Sequence, residues 1–166
     1  MEENTLITFP HLEAALEEYG EAVRNLYQDK LIRGNKIATG DLLNSVEFEV
    51  KHEGTIYEVG LNLASYWKYV EYGRKPGGKF PPVNAIRDWI KVKPVLPKPM
   101  ANGKLPTLNQ LSFLIGRSIA ENGIKPTNAL EKAKEETNDK YIEKIVEAFS
   151  EDIGTNALNI LAILSD

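Results

Sequence analysis

Few residues of this sequence have the types and spacing that metal binding or catalysis requires. Only two histidines are present, His11 and His52, and neither has a second metal ligand at helical spacing in a predicted helix. We predict that both are solvated loop residues, and we expect no metal and no cofactor. The chain has no cysteine, which excludes disulfides, thiolate zinc sites and cysteine nucleophiles.

Carboxylates are plentiful, but their spacing assigns them to solvated surfaces. Glu47 and Glu49 fall on the outward face of a predicted strand, and Glu17, Glu18 and Glu21 fall on a predicted helix. The sequence has no G-x-S-x-G, no G-x-x-x-x-G-K-[ST], and no G-x-G-x-x-G after a strand, the patterns of hydrolase nucleophiles and phosphate loops. We therefore expect no enzyme activity, with a small hydrolase of unrecognised site as one alternative.

The clearest chemical feature is a basic segment in an acidic chain. The whole chain carries 20 Lys and Arg against 24 Asp and Glu, a net charge of −4. Residues 74–104 carry a net +7 and residues 105–126 a net +1, whereas residues 1–73 carry −7 and residues 127–166 carry −5. Interfaces use such charge to steer and to align partners. The candidate interface residues of the basic segment are Arg74, Lys75, Lys79, Lys91, Lys93 and Lys98.

Aromatic side chains are dense beside this basic segment. The group consists of Tyr66, Trp67, Tyr69, Tyr72, Phe80 and Trp89. Basic and aromatic side chains together are typical of surfaces that bind single-stranded nucleic acid, so a nucleic-acid-binding module using residues 74–104 is a second alternative. Since Tyr66, Tyr69 and Trp89 fall on apolar helix faces, we favour core or interface positions for them and leave Trp67 and Tyr72 open.

Apolar residues at steps of three and four predict most of the chain to be helical. Breakers and capping residues separate the helices, and Gly154 is predicted to interrupt the last of them. The predicted helices cover residues 12–33, 65–73, 82–92, 107–123, 127–153 and 157–164. The predicted caps are Thr39, which precedes a short turn, Ser65, Pro82, Thr107 and Thr127. We also expect Gly40 and Gly73 to need a backbone conformation that is costly for other residues.

Strict alternation of apolar and polar residues predicts one β-hairpin. One strand runs through Val46 and Val50, and its partner runs through Tyr57 and Leu61. The residues between them, 52–54, are short enough for a hairpin loop. Val95 and Leu96 are expected to be able to add to a sheet edge.

Together these elements predict an α+β fold. A small antiparallel sheet, the hairpin at 45–61, is packed by several helices, and the chain ends in a long C-terminal helix. We divide the chain into an α+β domain over residues 1–134 and a helical extension over 135–166. The longest apolar stretches are far short of the roughly 20 residues that span a bilayer, so we expect no membrane contact. The acidic N-terminus is unlike a signal peptide, and we expect no export by that route.

Five short segments resemble one family when they are taken in order. They are ATGDLLNS at 38–45, VG at 59–60, YVEYG at 69–73, PP at 81–82 with Ile86 and Trp89-Ile90, and GIKP at 123–126 before Leu130 and Ala133. Over residues 12–134 the chain resembles the tailed-phage neck and tail-completion proteins of the HK97 gp10-like type. It differs in having Arg74 where a threonine is common, Asn128-Ala129 in place of an aromatic residue, and a longer C-terminus.

The resemblance implies a structural virion protein that performs no catalysis. Copies of the chain would form a homo-oligomeric ring at the head–tail junction, contacting portal or adaptor and tail proteins, while genomic DNA passes through. Its location would be the neck and tail region of the virion, after assembly in the host cytoplasm. From the prolines and charge of residues 74–104 we further expect projecting arms that become ordered only on assembly.

Overall fold

The helices and strands follow the order that the sequence patterns predict. The computed structural model describes residues 7–34, 40–54, 56–93 and 95–165. The elements are α1 (Pro10–Arg33), α2 (Asp41–Asn44), β1 (Glu47–Glu53), β2 (Ile56–Asn62), α3 (Trp67–Glu71), α4 (Val83–Val92), α5 (Leu108–Asn122) and α6 (Ala129–Leu164). The α+β class, the small antiparallel sheet and the long C-terminal helix are confirmed.

Contacts within the chain divide it into two compact units. The first unit comprises Met1–Lys30, Val46–Asn62 and Leu130–Asp166, and the second comprises Leu31–Ser45 and Leu63–Ala129. Each unit combines segments that are distant in sequence. The division into a domain over 1–134 and an extension over 135–166 stays a prediction.

In the first unit the hairpin packs its apolar face against α1. β1 and β2 pair with Phe48 opposite Leu61 and Val50 opposite Val59, so the alternating apolar residues share one face. The ring of Phe48 lies against Gly20 of α1, where a Cβ would come within 2.5 Å of the ring. Glycine at this helical position therefore lets the sheet approach the helix.

The same unit joins the start of α1 to the last third of α6 through buried polar groups. The Asp152 carboxylate is 1% exposed and accepts hydrogen bonds from the backbone N–H of His11 at 3.2 Å and of Leu12 at 2.8 Å. These N–H groups belong to the first turn of α1, which has no intrahelical acceptor for them. One turn further along α6, the Asn156 side chain donates to the Thr8 carbonyl at 2.7 Å.

Both histidines depart from the predicted loop positions. His11 belongs to α1, and its Nδ1 lies 2.7 Å from the Asp152 carboxylate. His52 belongs to β1 and stacks on Tyr57, with ring centroids 5.4 Å apart, because the strand continues to Glu53 before the chain turns. Neither histidine is therefore a loop residue, although both side chains have solvent-exposed surface.

In the second unit α4 packs on α5, and both helices begin where the sequence predicts. Pro82 is the residue before α4, and Ile86 is the buried residue of that helix. Thr107 caps α5 in a reciprocal capping box with Gln110, in which each side chain bonds to the other's backbone N–H. Gly123 ends α5 with a φ of +72°.

Two glycines bring distant backbone segments of the second unit together. Arg74 and Ile124 form an isolated antiparallel bridge, with N–H to carbonyl distances of 2.9 and 2.8 Å. Gly73, with a φ of +68°, and Gly123 flank this bridge, and a Cβ on either would come within 2.2 Å of a backbone oxygen of the other segment. The predicted positive φ values at Gly73 and Gly40 are confirmed.

Several local predictions are wrong. α6 continues through Gly154, since a helical glycine costs only about 1 kcal/mol and 35 other residues support the helix. Tyr66, without a side-chain cap bond, precedes α3 instead of Ser65. Val95 and Leu96 join no strand in the described part of the chain, whose one sheet has two strands, and Leu96 is 93% exposed.

Two predicted helix caps remain, Thr39 and Thr127. Thr39 lies outside the described residues, and Gly40 precedes α2. The Thr127 hydroxyl accepts from the Ala129 N–H at 3.4 Å and donates to the Val70 carbonyl at 2.9 Å, so it supports the first turn of α6. Of the described helices, including the 36-residue α6, none has an apolar stretch long enough to span a bilayer.

Candidate subunit interface

The two compact units carry opposite charge. The first unit contains seven Lys and Arg against twenty Asp and Glu, a net −13, and the second contains thirteen against four, a net +9. These charges combine to the −4 of the whole chain. We call the first the acidic unit and the second the basic unit. The separation by structure is larger than that along the sequence, where residues 1–73 carry a net −7 and residues 74–126 a net +8.

The loop from Arg74 to Pro82 is the part of the basic unit richest in predicted interface residues. Its first half is fixed to α5, because the Arg74 bridge to Ile124 is followed by a hydrogen bond from the Gly77 N–H to the Ala120 carbonyl at 2.7 Å. The Arg74 guanidinium lies beside Gly78, within 3.2 Å of where a Cβ on that glycine would stand. The loop therefore holds the Arg74 side chain close to its own backbone.

The structure distributes the six predicted lysine and arginine residues over three places. Arg74, Lys75 and Lys79 lie on the loop between α3 and α4, and the two lysines are exposed. Lys91 and Lys93 lie at the end of α4, and Lys91 pairs with Asp88 at 3.0 Å. Lys98 lies exposed in the irregular segment that leads to α5.

The expectation that residues 74–104 are arms ordered only by assembly is wrong for a large part of that segment. α4 contributes the buried Ile86, and the backbone of Arg74 and Gly77 is hydrogen-bonded to residues 120–124. The reason is tertiary: the prolines prevent regular structure locally, but α5 supplies partners from another part of the chain.

Aromatic side chains beside the basic loop are exposed. Tyr69 and Tyr72 are 64% and 63% exposed, and Tyr66 is 40% exposed, so none of the three is a core residue. Trp67 is half-buried, with its ring 5.8 Å from that of Tyr72. Exposed tyrosines are enriched at interfaces because they bury a large area with few rotatable bonds. An interface position for this group stays a prediction.

A second exposed aromatic group lies where the loop meets α5. Phe80 stacks on Phe113 with ring centroids 5.3 Å apart, and both rings are about half exposed. The Phe80 ring also rests on Gly116 of α5, where a Cβ would come within 2.6 Å of it. The basic loop thus ends in an aromatic anchor on α5.

Of the thirteen positive residues of the basic unit, five lie outside residues 74–104, namely Arg33, Lys36, Lys68, Arg117 and Lys125. Lys68 lies on α3, with its Nζ 6.0 Å from the Trp67 ring centre, and Arg117 and Lys125 lie on and after α5. Sequence order separates these residues from 74–104 by neutral or acidic stretches. Gly73 and Gly123 are the sequence signal that could have placed such residues near segment 74–104. Both glycines sit at turns within the segments that carry the family resemblance.

The acidic unit presents carboxylates along α1 and α6. Two lysines are engaged between these helices, Lys30 with Glu136 at 2.6 Å and Lys144 with Glu18. Both pairs are exposed on at least one side and contribute little stability. Carboxylates outnumber cations in this unit by thirteen, which leaves the unit strongly negative.

The described residues contain no cluster of three or more His, Asp or Glu side chains that could hold a metal ion. No protein-family model matches the chain, and no curated protein or solved structure matches it either.

Proposed function

We propose that this chain is a structural subunit that assembles head to tail into a ring at the head–tail junction of a tailed phage. The observation that carries the proposal is the division of charge, −13 in the acidic unit and +9 in the basic unit. The resemblance of residues 12–134 to neck and tail-completion proteins supplies the place of assembly. The subunit performs no catalysis and acts through its contacts.

Rotational symmetry explains why a single chain would carry both charges. A ring of more than two copies needs a head-to-tail interface, in which one patch of a subunit meets a different patch of its neighbour. Opposite patches on one chain satisfy that condition, and like patches repel, which disfavours the wrong pairings. The net acidity of the chain also disfavours tight wrapping of DNA that has to slide through.

The place of assembly is tested in the phage whose genome encodes this chain. Deleting the gene is expected to give DNA-filled heads and separate tails in electron micrographs, with infectivity restored when the chain is supplied from a plasmid. Complete, infectious particles without the chain would overturn the proposal.

The charge contact is tested with the purified full-length protein and two matched triple variants. Arg74→Glu, Lys75→Glu and Lys79→Glu together are expected to weaken formation of ring-sized oligomers by tenfold or more in sedimentation experiments at low salt. Lys132→Glu, Lys134→Glu and Lys140→Glu change the net charge equally but lie on α6, so association is expected to be retained.

An equal loss of association in both variants would attribute the effect to net charge and would overturn the contact. Circular dichroism of each variant shows whether it is folded, and melting like the parent is expected because all six side chains lie at the surface or partly so.

A second candidate function is the binding of single-stranded nucleic acid by the basic unit. The exposed Tyr69 and Tyr72 beside Lys68 and Lys75 favour it, because bases stack on such rings while lysines contact phosphates. Fluorescence anisotropy with a labelled oligo-dT of about 20 nucleotides tests it. Binding that weakens steeply with salt, and that Tyr69→Ala with Tyr72→Ala abolishes, would promote this function over the ring.

A further inference from the structure

From Ile142 to Leu164, α6 exposes an apolar stripe along one side of the helix. Its spacing of four, seven, four, three and four residues keeps the side chains within about 60° of arc at 100° per residue. From first to last the stripe is about 33 Å long. Its members are Ile142, Val146, Ile153, Ala157, Ile160 and Leu164, all of them exposed.

The neighbouring side of α6 is already occupied within the acidic unit. Asp152 and Asn156 bond to the start of α1, and Phe149 stacks on Phe9 with ring centroids 5.6 Å apart. These contacts fix the rotation of α6, because Asp152 is 1% and Asn156 7% exposed. The stripe is therefore held outward, with Ile153 48% and Leu164 77% exposed.

Residues 153–165, which contain most of the stripe, have no charged side chain. Everywhere else the acidic unit is dense in carboxylates, so two copies that met there would repel each other. Over 153–165 a second copy presents the same uncharged, apolar surface, and like packs on like without burying a charge. Contact over residues 153–165 therefore brings no charged side chains of these residues together.

We propose that the stripe on α6 packs against the same stripe of a second copy of this chain. The exposed apolar area of the stripe is on the order of 600 Å², at the upper end for a monomer patch and near the ~800 Å² per partner of a standard interface. Side chains at steps of three and four on two helices interdigitate as ridges into grooves. The contact is separate from the charged ring interface and does not depend on the proposed function.

Because the chain has no cysteine, cross-linking can test the contact directly. Val146→Cys, Ile153→Cys and Ile160→Cys are made one at a time and treated with a short bismaleimide. Covalent dimers are expected from at least one of the three. Thr155→Cys is the control, since Thr155 is exposed on the side away from the stripe and should stay monomeric.

Salt separates this contact from the charged one. At about 1 M NaCl the Debye length is about 3 Å, so charge contacts are screened while apolar contacts persist. Sedimentation of the full chain there is expected to show a dimer, and Ile153→Lys is expected to weaken it at least tenfold. Thr155→Lys, with the same added charge, is expected to leave the dimer intact.

Other occupants of the stripe would give different results. A parent that is monomeric at all concentrations, or dimers that Ile153→Lys and Thr155→Lys weaken equally, would overturn the proposal. Flotation of monomers with phosphatidylcholine vesicles, abolished by Ile153→Lys, would assign the stripe to a lipid surface instead and would also overturn it.

Discussion

The acidic and the basic unit use the same packing device under opposite charge. In the acidic unit the Phe48 ring of β1 rests on Gly20 of α1, and in the basic unit the Phe80 ring rests on Gly116 of α5. In each case the missing side chain of a helical glycine makes room for an aromatic ring. The two units thus differ in net surface charge, while their cores are built alike. Function can therefore set the surface charge of each unit without a change in its packing.

The units differ in how their distant segments are joined. In the acidic unit the join is made by side chains, because Asp152 and Asn156 of α6 bond to the backbone at the start of α1. In the basic unit it is made by backbone, because the Arg74 and Ile124 bridge requires glycine on both sides. A side-chain join tolerates partial substitution and depends on pH. A backbone join does not tolerate partial substitution and does not depend on pH.

The largest effect is expected at the backbone join. Gly73→Ala or Gly123→Ala puts a Cβ within 2.2 Å of a backbone oxygen at a positive φ, and is expected to cost at least about 3 kcal/mol of unfolding free energy. Urea unfolding measures the loss. Gly77→Ala is the control, since its φ is +77° with no atom within 4 Å, and about 1 kcal/mol is expected there. Equal losses of unfolding free energy at positions 73 and 77 would show that the positive φ alone sets the cost, and that the close approach of the two backbone segments adds nothing.

The side-chain join is expected to give the next largest effect. Asp152→Ala leaves the His11 and Leu12 N–H groups without their acceptor and is expected to cost about 3 kcal/mol. Hydrogen exchange should show the loss of protection first at the start of α1. The adjacent Glu151→Gln, at an exposed position, is expected to change the stability by less than about 0.5 kcal/mol. If Asp152→Ala melts like the parent, the join contributes nothing to stability.

Adding a methyl group at the helical glycine under the aromatic ring is expected to cost more stability in the acidic unit than in the basic unit. Gly20→Ala drives a Cβ into Phe48, which a strand holds in place, and a net cost of about 1 to 2 kcal/mol is expected. Gly116→Ala meets Phe80, which is 42% exposed and can move, and the Cδ1 of the buried Ile86 at 3.0 Å, so the gain of about 1 kcal/mol in helix propensity offsets most of the clash. Gly154→Ala, with open space around it, should be stabilising. The melting temperatures of the three variants test this order. A larger loss of stability for Gly116→Ala than for Gly20→Ala would contradict it.

The smallest effect is expected from pH, at the His11 and Asp152 pair of the acidic unit. The hydrogen bond to Asp152 and the charge of that carboxylate raise the pKa of His11 above 6.5. This stabilisation is complete below pH 6.5 and is lost as the pH rises through the pKa of His11 in the folded protein. The melting temperature is therefore expected to fall slightly as the pH rises above 6.5, and His11→Gln should remove that slope.

Asp152 contributes the opposite slope in acid. Burial acts to raise the pKa of this carboxyl, but the hydrogen bonds from Leu12 and His11 outweigh burial, and the pKa lies below 3.8. The stabilisation is present above pH 3.8 and is lost as the pH falls through the folded pKa. A melting temperature that is highest between about pH 4 and 6.5 in the parent, and that falls less on either side of that range in Asp152→Asn, is the expected pattern.

Local periodicity and capping chemistry were sufficient to place most of the elements. The alternation in Val46 to Val50 and Tyr57 to Leu61 predicted the hairpin, and Thr107 and Gly123 bounded α5 as capping rules require. These features depend on neighbours within a few residues, which the sequence displays directly. For the same reason the charge of Arg74, Lys75 and Lys79 could be recognised, since they are adjacent in the chain.

Only the tertiary structure decided what depends on distant partners. The join of His11 to Asp152 spans 141 residues, and the bridge of Arg74 to Ile124 spans the whole of α4 and α5. Gly154 stays helical because its cost is about 1 kcal/mol while bonds at Asp152 and Asn156 hold α6 on either side. The partition into −13 and +9 arises in the same way, because contacts between segments far apart in the chain decide which charges share a unit.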